Sequence, residues 1–251
     1  MNAIETLEQH LRRLRMPAMQ ENLNLRLKQA QETNLGYIDF LILLIQDEVD
    51  SREANNLSKR LKSGGFSLRM TFETYDYHFN TEAISPQLIR DLATCKFIRD
   101  KRSLVLCGPP GIGKTHISQA LGHEICRRGG DALFIKTQKL LASLMDKTYP
   151  RRAARLWKQI GRAELVILDD FGFRRYEQEE AEILYSLADL RMNQASTIIT
   201  SNRPPGDWYG VFPDPVIGGA VLDRLVSGAI KIVVEKAESY RKRTSYTFPE
   251  A

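Results

Sequence analysis

The stretch GPPGIGKT, residues 108–115, constrains this chain more than any other. It follows the apolar run Leu104, Val105, Leu106, Cys107 and precedes a helical pattern over residues 115–128. A short strand, a glycine-rich turn, Lys-Thr and a helix in that order make a phosphate-binding loop. Gly108, Gly111 and Gly113 let the backbone come close to an anion, so that successive amides converge on its oxygens. A helix N-terminus behind them adds the favourable end of its dipole. Pro109, Pro110 and Ile112 complete the loop and His116 follows it, so residues 108–116 are expected to hold a nucleotide. Lys114 can reach the β- and γ-phosphates, and the Thr115 hydroxyl can hold Mg²⁺.

Around this loop, short apolar runs alternate with helical patterns. Strands are expected at 104–107, 132–135, 165–168, 197–200 and 230–234, and helices at 86–99, 177–192 and 218–226. Such alternation implies a parallel sheet covered on both faces, with ligands bound at the carboxyl ends of the strands. The loop, the pair Asp169-Asp170 and Asn202 all fall at such ends. Asp169 would hold Mg²⁺ beside Thr115, Asp170 would polarise an attacking water, and Asn202 would orient it. Charge on a transferring phosphoryl group also calls for arginine. Arg224 is the candidate for a finger reaching a neighbouring subunit's site, and Arg241 and Arg243 are candidates for sensing the nucleotide within the subunit.

Before residue 85 the pattern differs. Ile4, Leu7, Leu11 and Leu14 recur at helical spacing up to Pro17, and a second helix is expected over 18–31. Asn34 is expected to cap a third, whose Phe40, Leu41, Leu44, Ile45 and Val49 form one apolar face. The organisation read from this is a small all-α domain over 1–65, an aromatic linker over 66–85 and an α/β domain over 86–251. The linker rings Phe66, Phe72, Tyr75, Tyr77 and Phe79 are expected mainly to pack against the following domain, with one ring as a possible wall for a base.

Charge is informative once located. The chain carries +5 overall, yet residues 1–85 hold 10 basic against 12 acidic residues. Residues 136–162 hold 8 basic residues and one acid, Asp146. So concentrated a surplus is the footprint of a polyanion, nucleic acid above all, or else a solvated helix face. Lys139, Arg151, Arg152, Arg155 and Lys158 are the candidate contacts. The apolar run 40–45 is too short to cross a bilayer and no signal-peptide core is visible, so a cytoplasmic protein without a membrane partner is expected. Cys95, Cys107 and Cys126 fit no metal or disulfide spacing and are expected to be reduced and buried.

Taken together, GPPGIGKTH, LVILDDFG, TSNRP and VLDRL resemble the AAA+ ATPases of the IstB and DnaC type. The resemblance extends to the FLILLIQDEV and YDYHF stretches, and hence to nearly the whole chain. It implies a P-loop AAA+ core, with a five-stranded parallel sheet between helices, preceded by a small all-α domain. It also implies Asp170 as catalytic acid, Asn202 as sensor 1, Arg224 as arginine finger and Arg241 as sensor 2. The family usually carries glutamate where this chain has Asp170, which implies slow, DNA-stimulated hydrolysis of ATP to ADP and phosphate. The chain ends soon after the fifth strand, so no full helical lid is expected. The basic segment lies where initiator-type members carry a helix facing DNA. The implied activity is an ATP- and Mg²⁺-dependent homo-oligomer, with ATP at subunit interfaces, that assembles on duplex DNA and delivers it to a partner transposase. A helicase loader and a passive ATP-gated DNA coat are the alternatives.

Overall fold

The computed structural model describes residues 2–243 and divides into two compact units, Met1–Lys59 and Arg60–Ala251. The first is helical: α1 (Ala3–Arg13), α2 (Pro17–Thr33) and most of α3 (Tyr37–Ser63). Asn2 and Glu5 form a reciprocal capping box at the start of α1, which satisfies two otherwise orphan amides. Helix α2 begins on a proline and has no side-chain cap of its own. Glu48 of α3 supplies one instead, accepting from the amides of Ala18 at 2.9 Å and Met19 at 3.3 Å. Leu11, Met19, Leu23 and Leu44 form the core.

Two expectations fail in this unit. Asn34 does not start the third helix; it ends α2 in the left-handed conformation, with φ 52°, a role that asparagine shares with glycine. The apolar face of α3 is mostly outward: Leu44 is buried, but Leu41, Ile45 and Val49 are 46%, 51% and 40% exposed.

The second unit contains α4 (Pro86–Ala93), α5 (Lys96–Arg99), β1 (Leu104–Cys107), α6 (Lys114–Arg127), β2 (Ala132–Lys136), α7 (Thr137–Met145) and α8 (Pro150–Arg162). It continues with β3 (Leu165–Asp169), α9 (Gln178–Arg191), β4 (Ser196–Ser201), α10 (Pro215–Val226), β5 (Ile230–Val233) and α11 (Tyr240–Arg243). The helix expected over 86–99 is two, because Cys95 adopts a left-handed conformation between α4 and α5. All strand pairs are parallel and the order is β2-β3-β4-β1-β5. β1, β3 and β4 are buried along their whole length, as expected of central strands covered on both faces. Because β4 lies between β1 and β3, Cys107 pairs with Ser201 and Leu168 with Ile199. Lys136 pairs with Asp169 across the other edge of β3. Four strand ends therefore lie in one row.

At the opposite end of the sheet, Arg191 closes α9 and is only 3% exposed. Its guanidinium donates to the carbonyls of Ile160 (2.7 Å), Ala163 (3.0 Å) and Ser196 and to Thr197 Oγ1 (3.0 Å). It thereby satisfies carbonyls at the end of α8 that the helix itself leaves open. Burial lowers its pKa to about 10. Cys95, Cys107 and Cys126 are free and buried. Among the described residues no helix is long and apolar enough to cross a membrane.

Candidate nucleotide site

The turn after β1 leads directly into α6, whose N-terminus has no side-chain cap. That leaves its first amides for an anion. Gly113 has φ 98°, which favours glycine, and a Cβ there would sit tightly, 3.2 Å from the ring of Tyr75. Lys114 is buried at 8% exposure. Its ammonium donates to the carbonyls of Gly108 and Pro109, each at 2.8 Å, and to Asn202 Oδ1 at 2.9 Å. An ammonium has three donors, and here three neutral oxygens take them. Burial lowers the Lys114 pKa.

The acids are held across the sheet. Asp169 is 1% exposed, and its Oδ1 accepts from Thr115 Oγ1 at 2.9 Å and Thr200 Oγ1 at 2.6 Å. Thr200 Oγ1 also accepts from the Asp170 amide at 3.1 Å. One hydroxyl thus ties both acids to β4. Asp170 sits at φ 56°, a conformation that costs a non-glycine residue roughly 1 kcal/mol or more unless its surroundings hold it. They do: Ser201 Oγ donates to the Phe171 carbonyl at 2.7 Å, and the Gly172 amide donates to Tyr176 Oη at 2.7 Å. Phe171 itself packs against Trp208, with ring centroids 4.9 Å apart. The Asp170 carboxylate meets Lys136 Nζ at 3.0 Å, and that hydrogen bond raises the Lys136 pKa.

These groups open onto one cavity of ≈ 680 Å³, within the range of small-molecule sites. Residues 110–116, Asp169, Asp170, Asn202 and Arg241 line it. Tyr75 and Phe79 of the aromatic stretch line it as well, although Phe66, Phe72 and Phe79 are buried. The outcome of the two readings of those rings is both: packing for most, a cavity wall for two. His116 anchors the stretch, with Nε2 2.8 Å from the Thr71 carbonyl. A carbonyl only accepts, so Nε2 carries the proton.

A hydroxyl and a carboxylate 2.9 Å apart, Thr115 and Asp169, suit Mg²⁺, which keeps several waters and takes few protein ligands. Among the described residues there is no group of three or more His, Cys, Asp or Glu that could hold a metal.

Arg224 lies elsewhere. It is on α10, and its guanidinium is bonded to Asp189 Oδ1 (3.0 Å), Tyr185 Oη (3.0 Å) and the Ala220 carbonyl (3.1 Å). It lines a separate groove with Ser103, Thr197 and Gly228. The side chain of Arg243 lies outside the described residues. Lys139, Arg151, Arg152, Arg155 and Lys158 are all exposed. Arg151, Arg155 and Lys158 share one face of α8, while Leu156, Trp157 and Ile160 pack inward.

Sequence reasoning overlooked Thr200 and Lys136 as parts of the site. Lys136 ends a strand as Asp169 does; Thr200 carries no local signal of its bond to Asp169.

The sequence model of the family described as IstB-like ATP binding protein matches residues 9–247. A Mycobacterium tuberculosis insertion-sequence protein named as ATP-binding is 37% identical over 234 residues, covering 93% of this chain and 92% of that one. The insertion sequence IS21 ATP-binding protein of Pseudomonas aeruginosa is 34% identical, covering 94% and 88%. Among solved structures, the DnaC helicase loader superposes with TM-score 0.57 at 21% identity, over 66% of this chain and 97% of that one. DnaA from Aquifex aeolicus, bound to AMPPCP, gives TM-score 0.54 at 17% identity, over 67% and 51%. At such identities the likeness concerns the fold, which is that of the AAA+ core. The chain belongs to the family of IstB-like ATP-binding proteins.

Proposed function

We propose that this ATP-binding protein is a slow, DNA-stimulated ATPase that assembles on duplex DNA when ATP is bound, presents that DNA to a transposase, and is reset by hydrolysis. The observation that carries the reading is the row of strand ends, where Lys114 bonded to Asn202, and Thr115, Asp169 and Asp170 linked through Thr200, line one cavity. In this reading Lys114 holds the β- and γ-phosphates, and Thr115 and Asp169 hold Mg²⁺. Bound Mg²⁺ would supply charge neutralisation on the phosphate oxygens. Asp170 accepts the proton of the attacking water and Asn202 orients it.

Arg224 would serve a neighbouring subunit. Of its five N–H donors, the three bonds to Asp189, Tyr185 and Ala220 leave one on each terminal nitrogen, a fork suited to phosphate. Assembly then depends on nucleotide, because the finger gains its partner only across an ATP-filled interface. Transposition is favoured over helicase loading by the insertion-sequence relatives at 37% and 34% identity.

The exposed bases of α7 and α8 would meet DNA phosphates, so binding is expected to be weakly sequence-specific. Replacing Lys139, Arg151, Arg152, Arg155 and Lys158 by alanine is the test. If each neutralises one phosphate, the slope of log K against log salt flattens by about 4–5. An unchanged affinity and slope would remove these residues from the interface. Duplex against single-strand binding, and capture by transposase against helicase, separates the two assembly roles.

A further inference from the structure

A sensor arginine is useful only if something holds it over the phosphates. The segment before Arg241 crosses the phosphate loop. The Tyr240 amide donates to the Gly111 carbonyl at 3.0 Å. Gly111 has φ 86°, and any Cβ there would collide with Ser239 Oγ, so the segment lies directly on the loop.

Its other side is gripped by the aromatic stretch. The Asn80 carboxamide donates to the Glu238 carbonyl at 2.8 Å and accepts from the Glu238 amide at 3.1 Å. That two-bond bracket satisfies donor and acceptor of one residue, as a strand neighbour would. One residue before, the buried ring of Phe79 meets the ring of Tyr240 edge-on at 5.1 Å. Asn80 adopts φ 54°, which asparagine tolerates better than most residues. Beyond these contacts Arg241 reaches the cavity wall, and its positive charge opposes those of Lys114, whose pKa burial chiefly lowers, and of Lys136, whose pKa the bond to Asp170 nonetheless raises. Its guanidinium is thus within electrostatic reach of the two lysines that flank the site.

We propose that Asn80 is a positioning residue, which with Phe79 straps residues 238–241 across the phosphate loop and so delivers Arg241 to the nucleotide. This rests on the reading of Arg241 as the nucleotide sensor. The test uses the full chain with Asn80→Gly, Asn80→Asp, Arg241→Ala and the double variant Asn80→Gly/Arg241→Ala. Glycine removes the bracket without straining the left-handed backbone, and aspartate keeps the acceptor but loses the donor.

ATP and ADP affinities are measured by competition with a fluorescent nucleotide, alongside thermal melting. Asn80→Gly is expected to lose the ATP-over-ADP preference by roughly tenfold, the size of two net hydrogen bonds. Arg241→Ala should lose as much, the double variant no more, and Asn80→Asp an intermediate amount. A merely structural asparagine would lower both affinities together and leave the ratio intact. If Arg241→Ala loses the preference and Asn80→Gly keeps it, the strap is not what positions the arginine. A parent chain without the preference, or an Arg241→Ala variant that retains it, overturns the sensor reading itself.

Discussion

Thr200→Val isolates the bond that joins the two acids. Valine has nearly the shape of threonine, so the substitution deletes a hydroxyl with little change in packing. Thr200 is 1% exposed, and its Oγ1 donates to Asp169 at 2.6 Å while accepting from the Asp170 amide at 3.1 Å. A hydrogen bond to a buried carboxylate contributes about 1.5–3 kcal/mol. The partly solvated Asp170 amide, left without its acceptor, adds about 1 kcal/mol at the low end of that penalty. The expected loss is thus about 2.5–4 kcal/mol, read as a lower urea midpoint at unchanged m for the larger unit. Thr200→Ser restores the bond and should recover all but the buried methyl, worth about 1 kcal/mol. Phosphate release by Thr200→Val should also fall, because Asp170 loses one of its anchors. A Thr200→Val chain within about 0.5 kcal/mol of the parent would refute the reasoning, since that is the scatter of surface substitutions.

Lys136→Met removes the cation 3.0 Å from Asp170. The pair is substantially exposed, which limits it to about 1 kcal/mol, so basal phosphate release without DNA is expected to rise by at most about fivefold; a fall would show that Lys136 assists Asp170. Arg191→Met strips four buried acceptors of their donor and is expected to cost about 3–5 kcal/mol in urea unfolding. Glu48 predicts acid sensitivity of the helical unit. Burial opposes its charge, but the hydrogen bonds from Arg52, Met19 and Ala18 outweigh this and lower its pKa below the ordinary 4.5. Its contribution is therefore complete above pH about 4.5 and is lost as pH falls through the lower folded value. Thermal melting monitored in the helical unit should show this acid loss in the parent and little of it in Glu48→Gln.

The parts of the site legible in the sequence are those that depend on neighbours along the chain. Three glycines at fixed spacing before Lys114-Thr115 and two acids closing an apolar run carry their chemistry locally. Strand order is not local. Thr200 reaches Asp169 only because β4 inserts between β1 and β3, and nothing in residues 196–201 announces that. Asn80 and Glu238 are 158 positions apart, joined by loops without periodicity. Asn34 shows the converse limit: its side chain suits either end of a helix, and only the left-handed backbone at 52° decides. On α3 the apolar spacing was readable but its burial was not, because Leu41 and Ile45 point away from the core that claims Leu44.

The satisfied ammonium of Lys114 has one more consequence. A phosphate entering beside it does not fill a vacancy in the charge's bonding; it must outbid two carbonyls and a carboxamide for the same three protons. Where the oxygen displaced is Asn202 Oδ1, the carboxamide would lose its donor and be at liberty to recruit a water. In the proposed reading, anion binding and the freeing of the asparagine would then be a single event.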